Sequence, residues 1–141
     1  MASIFICVVM AVGGFAQTVP QTPQGPPPRF ETATQFYLRY RTVVANARSV
    51  DEVVALWAAD AADEYRGAPA GQRVDLAGIK RMNSTVSNVT VTREEMSVGP
   101  GTADATLSLE GIGKDQKKVA GSAHVVKEEG VWKLVQPEVW K

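Results

Sequence analysis

The sequence predicts an α+β fold, with N-terminal helices packed on a curved antiparallel sheet, and three observations carry that expectation. Apolar residues in the first half of the segment 30–141 recur at spacings of three and four. In its second half they alternate with a period of two. The last two alternating runs are joined by Glu129-Gly130, a two-residue turn with Gly second, which suits the type I′ geometry of a hairpin.

The helical half comes first. Over 31–47, Ala33, Phe36, Tyr37, Tyr40, Val44 and Ala47 share one helical face, and Thr32 with Gln35 has the spacing of a capping box. Ser49 and Glu52 repeat that signature at the start of a second helix, with Val53, Val54, Leu56 and Trp57 on its buried side. The Ala-rich run 58–62 is expected to carry this helix on toward Tyr65. Gly67 to Gly71, with Pro69, breaks the chain. Asp75 caps a third short helix that presents Leu76, Ile79 and Met82.

The strands follow. Val89 and Val91 alternate with threonines, and Ala103, Ala105, Leu107 and Leu109 alternate with polar residues from Thr102 to Glu110. Val119, Gly121, Ala123 and Val125 form the third run, and a last strand runs from Val131 to about Val135, limited by Pro137. Register decides which face is inside. A two-residue Glu129-Gly130 turn sets Glu128 against Val131, Lys127 against Trp132 and Val125 against Leu134. A slip of one residue would put Lys133 on the inner face instead. The expected core face is therefore Leu107, Leu109, Ala123, Val125, Trp132 and Leu134.

Ahead of this domain, residues 1–16 contain an apolar run from Ile4 to Val12, with Gly14 and Ala16 placed as in a signal-peptidase site. The expectation is a signal peptide over 1–16, cleavage before Gln17, and an exported protein, periplasmic or secreted. The run is shorter than the roughly 20 residues needed for a stable membrane span. It also contains Cys7, the one cysteine, so the mature chain would have no thiol for a disulfide, a nucleophile or a metal site. Residues 17–29 hold five of the eight prolines and read as an extended linker. Acidic and basic residues balance at 15 each, which removes any global field toward nucleic acid.

Helices followed by an antiparallel meander, together with the aromatic first helix (Phe36, Tyr37, Tyr40), the Ser49–Trp57 helix and the closing stretch VVKEEGVWKLVQPEVW at 125–140, resemble the nuclear transport factor two-like superfamily. The resemblance implies a cone-like α+β roll over 30–141. It leaves function open, because that superfamily holds isomerases, dehydratases, cyclases, adaptors and domains with no known activity.

Candidate residues fall into three groups. Tyr37, Tyr40, Trp57 and Tyr65 could line a ligand pocket, or simply fill the core. Asp60 and Asp63 follow the second helix and could supply an acid at a pocket mouth, although a solvated helix end is the simpler explanation. Thr106, Ser108, Ser122, His124, Val126 and Val135 share the outer sheet face, an uncharged patch suited to a homodimer interface. His124 is the one histidine, so no histidine cluster and no metal site is expected; no glycine-rich phosphate loop or other cofactor signature occurs. Two sequons, at Asn83 and Asn88, matter only if a eukaryote secretes the chain. The leading reading is a non-enzymatic domain that binds a small apolar ligand, a protein partner or its own copy. The alternative is an isomerase- or cyclase-type enzyme using Tyr37 or Tyr40 with Asp60 or Asp63. An open cavity into which a tyrosine and a carboxylate converge would favour the alternative.

Overall fold

The structure, a computed structural model, describes residues 31–141. The expected leader, its cleavage site and the proline-rich linker lie outside the described residues.

Four helices precede four strands. Helix α1 spans Ala33–Asn46, and Thr32 and Gln35 form the expected reciprocal capping box. Its buried face is Ala33, Phe36, Tyr37, Tyr40, Val43 and Val44. Helix α2 is a short turn, Val50–Val54, capped by the Ser49 hydroxyl. The Glu52 carboxylate accepts from the Arg48 N–H, one residue before the position that would close a capping box.

The expected continuation of α2 into the alanine run does not occur. The chain leaves the helix after Val54, and Trp57 makes a parallel bridge to Leu134. Leu134 donates its N–H to the Leu56 carbonyl at 2.9 Å and accepts from the Ala58 N–H at 2.7 Å. A sheet edge offers unpaired backbone groups at a fixed spacing, and here it captures the chain that would otherwise have stayed helical. A separate helix, α3, then spans Ala59–Gly67. Its first N–H, at Ala59, is met by the Glu128 carboxylate at 3.0 Å, since Ala58 has no side-chain acceptor. A short 3-10 turn, Ala70–Gln72, leads to α4, Leu76–Asn83, capped by Asp75 as expected. Of its expected apolar face Ile79 is buried, whereas Met82 is half exposed.

Strands β1 (Ser87–Gly99), β2 (Thr102–Ile112), β3 (Lys118–Glu128) and β4 (Val131–Trp140) form one antiparallel sheet in the order β1-β2-β3-β4. The last hairpin has the expected register, with Glu128 opposite Val131, Lys127 opposite Trp132 and Val125 opposite Leu134. Both turn residues have positive φ, 51° at Glu129 and 81° at Gly130, as a type I′ turn requires. Leu107, Leu109, Ala123, Val125, Trp132 and Leu134 are all buried against the helices. The result is helices packed on a curved four-stranded antiparallel sheet.

Two strands are longer and less regular than the alternation suggests. In β1 a register shift between Val91 and Arg93 changes which residues face inward. Glu94 consequently lies opposite Leu107, on the helix side, where its carboxylate accepts from the Thr34 N–H at 3.0 Å and the Thr34 hydroxyl at 2.5 Å. In β4 the strand does not stop before Pro137. Register shifts against β3 fall between Ser122 and Val125, so β4 carries extra residues around Pro137 and resumes pairing at Val139 and Trp140. As the edge strand it tolerates a residue without an N–H. The close approach at its end is specific: a Cβ built on Gly121 would stand 2.5 Å from the Trp140 ring and 2.8 Å from the Val139 carbonyl.

Among the described residues, no helix is long and apolar enough to cross a membrane.

Candidate functional site: a cavity between the helices and the end of the sheet

A cavity of about 400 Å³ opens between α1, α3, α4 and β4. Its walls are chiefly apolar: Tyr40 from α1, Trp57 from the bridge, Ala61 and Tyr65 from α3, Ile79 and Met82 from α4, and Leu134 from β4. Trp57 and Tyr65 meet edge to face, with ring centroids 5.3 Å apart and planes at 90°. Such a pair is a favourable quadrupole arrangement and holds the wall rigid. The Tyr65 hydroxyl is fixed by donation to the Val74 carbonyl at 2.6 Å.

Three of the four aromatic candidates, Tyr40, Trp57 and Tyr65, thus line the cavity. Tyr37 stands behind them, fully buried, with its hydroxyl donating to Glu138 Oε1 at 2.8 Å. Asp60 and Asp63 do not join this group. Both are exposed on α3, outside the lining, with Asp63 3.9 Å from Arg66.

Two carboxylates do line the cavity, Glu64 from α3 and Glu138 from β4. The core face expected from the sequence holds no acid, and this is corrected: Glu94 and Glu138 both lie on the helix side of the sheet. Glu138 has the parity of Trp132 and Leu134, so a strand that continues past Pro137 puts it on the helix side, whereas a strand ending at Val135 would not have reached it. Arg41 donates to Glu138 Oε1 at 2.9 Å, and the two side chains are only 14% and 11% exposed. The same guanidinium donates to the Asn83 carbonyl at 2.6 Å and to the Val86 carbonyl at 2.8 Å. Arg41 therefore ties α1, the end of α4, the entry to β1 and β4 together. Its spacing from Tyr37, four residues along a helix, and the parity that Glu138 shares with Trp132 and Leu134 are sequence signals that could have marked this group.

The polar groups at the cavity have distinct states. Burial, with the Glu138 charge and hydrogen bond beside it, holds the Tyr37 hydroxyl far above its ordinary range. Burial likewise pushes Tyr40 up to about 12, against the Trp57 N–H that reaches its oxygen at 3.4 Å. Both are neutral phenols at physiological pH. Since the Tyr40 oxygen accepts from Trp57, its own proton remains available. Asn83 holds an acceptor sealed from the cavity. Its Nδ2 donates to the Arg41 carbonyl at 3.2 Å, while its buried Oδ1 has no hydrogen-bond partner among the described residues. A carbonyl can only accept, so this contact fixes the amide nitrogen toward Arg41 and leaves the oxygen as the unmet group.

On the opposite sheet face, Thr106 is paired with His124 and Ser108 with Ser122, while Val126 is paired with Asp104. The patch is less neutral than expected. His124 Nε2 lies 3.5 Å from Asp104 Oδ1, so a carboxylate sits among the small residues. No group of three or more metal-ligating side chains occurs among the described residues.

No protein-family model matches this chain. No curated protein matches it either. One solved structure with some likeness is that of a "putative aromatic ring hydroxylase" from Novosphingobium aromaticivorans, 19% identical over 75% of this chain and 88% of that one, with a TM-score of 0.37. A likeness of that size is a weak relationship and assigns no activity.

Proposed function

We propose that this domain binds a small, mainly apolar molecule in the cavity between α1, α3, α4 and β4. The observation that carries the reading is a preformed cavity of about 400 Å³ with aromatic and aliphatic walls and a few fixed polar groups. That volume lies within the roughly 300–1,000 Å³ of small-molecule sites, and the composition is theirs. A core that only had to be stable would fill such a space, because each unfilled volume loses packing energy.

The convergence of Tyr40 and a carboxylate favours a second reading, a proton-transfer enzyme in which Glu138 replaces the aspartates expected from the sequence. Against it, Glu138 Oε1 already accepts from Arg41 and Tyr37. Taking up a proton would disrupt an ion pair that also anchors α1. Binding without turnover is the reading adopted.

The test is titration of the domain with N-phenyl-1-naphthylamine, a neutral apolar fluorophore. Saturable one-to-one binding, abolished in Ala61→Trp, supports the reading. No binding, or equal binding by the filled variant, overturns it. Export with cleavage before Gln17 is part of the proposal and is tested separately, by intact mass: an exported species beginning at Gln17 supports it, and an exported chain that keeps Met1 ends the cleavage.

A further inference from the structure

We infer that the ligand of this cavity is a cationic amphiphile: an ammonium group with N–H donors, held at the mouth by Glu64, on an apolar body that fills the interior. The inference rests on the small-molecule reading and adds the charge of the ligand to it.

Helix α3 contributes one stripe to the cavity wall: Ala61, Glu64, Tyr65 and Ala68, the spacing of a single helical face. Three of these side chains are small or aromatic, and the fourth is a carboxylate. Glu64 is exposed as well as lining, so it stands where the cavity meets solvent. It makes no ion pair among the described residues. Nothing in the helix favours a negative charge there. Glu64 lies in the last turn of α3, at the negative end of the helix dipole, and Asp60 stands four residues before it on the same side. A cation at the mouth would relieve both repulsions.

The charges of the wall point the same way. The lining holds two carboxylates, Glu64 and Glu138, and no Lys, Arg or His. Arg41 balances Glu138 from behind the wall, which leaves the charge of Glu64. On the α3 side, Arg66 lies 3.9 Å from Asp63, and Arg73 donates to the Ala68 and Arg66 carbonyls; neither arginine lines the cavity. An anionic ligand would therefore meet Glu64 with no cation to receive it. An ammonium group at the mouth keeps water on its outer side and so avoids the cost of full burial. Its N–H groups donate where the carboxylate accepts. The wall beside Glu64 is aromatic, with Tyr65 next in sequence and Trp57 against it, and the faces of such rings attract cations.

The experiment binds N-phenyl-1-naphthylamine to the whole protein at low ionic strength and displaces it with three probes of one shape: 2-naphthylmethylammonium, 2-naphthalenemethanol and 2-naphthoate. The expected result is that the ammonium binds about fivefold more tightly than the alcohol, the size of an ion pair partly open to water, with the naphthoate weakest. In Glu64→Gln the ratio of ammonium to alcohol affinity should fall to about twofold or less. Glu64 is exposed, so this exchange removes the charge without disturbing the core. Asp63→Asn removes a charge of the same helix outside the cavity and should keep the ratio near about fivefold. Equal binding of ammonium and alcohol, tighter binding of the naphthoate, an unchanged ratio in Glu64→Gln, or an equal fall in Asp63→Asn overturns the inference and leaves the cavity reading intact. A bound reporter that none of the three probes displaces does the same. A reporter that does not bind overturns both.

Discussion

Replacing Trp132 by alanine tests the hairpin register on which the whole core depends. Trp132 is 4% exposed, faces the helices, and donates its indole N–H to the Glu31 carbonyl at 2.9 Å. A buried aromatic of this size removes about 150–250 Å² from water. At about 25 cal/mol per Å² that is about 4–6 kcal/mol, an upper value because unfolded chains already bury some surface. Measured aromatic-to-alanine changes in cores fall at about 3–5 kcal/mol, and the abandoned Glu31 carbonyl belongs within that total. The expected loss is therefore about 4 kcal/mol in urea denaturation, with an unchanged slope. Trp132→Phe separates the two contributions: it keeps most of the burial, forfeits the hydrogen bond, and should cost about 1–3 kcal/mol. A loss below about 1 kcal/mol for the alanine variant would refute the register and the core face with it. Equal stability of the phenylalanine variant and the parent would refute the indole bond alone.

Further perturbations probe the cavity base and the sheet. Arg41→Met should destabilise the domain by about 3 kcal/mol, since it strands the Glu138 charge and two backbone carbonyls in a mostly buried setting; a change under about 1 kcal/mol in denaturation would show that solvent already satisfies them. Alkali should destabilise the fold between pH 10 and about 12: the unfolded Tyr40 loses its proton near 10.0 and the folded one only at about 12, so the unfolded state binds fewer protons there and stability falls as pH rises. The fall from Tyr40 is about 2–3 kcal/mol, Tyr37 acts in the same direction, and denaturation at pH 9 and pH 11.5 would contradict this by giving equal stabilities. Gly121→Ala should cost about 1–3 kcal/mol because its methyl group meets the Trp140 ring and the Val139 carbonyl, and an unaltered melting temperature would show that the end of β4 moves freely. Self-association through the outer sheet face predicts a dimer in sedimentation at micromolar concentration, dissociated in His124→Glu, which sets a second carboxylate beside Asp104; a monomeric parent ends that proposal.

Local rules in the sequence determined three of the four α-helix starts, the hairpin and the inner sheet face. Thr32, Ser49 and Asp75 cap their helices because a side-chain oxygen at that position meets an N–H within three residues. The Glu129-Gly130 turn set the register, and period-two alternation then placed Leu107, Ala123 and Leu134 inside. The aromatic wall of the cavity was visible for the same reason: Tyr40, Trp57 and Tyr65 lie on buried sides of short periodic segments. What the sequence could not show depended on partners distant along the chain. The break after α2 is made by Leu134, whose edge N–H and C=O hold Leu56 and Ala58 out of helical geometry. The run of β4 past Pro137, which brings Glu138 to the inner face at the parity of Trp132 and Leu134, depends on its pairing with β3 up to Trp140. Asn83 becomes an unmet acceptor only once Arg41, 42 residues away, has taken its amide. Periodicity reports which face of an element is apolar; where an element stops, and which polar groups meet across the fold, were fixed by sheet edges and long-range hydrogen bonds, which have no period to read.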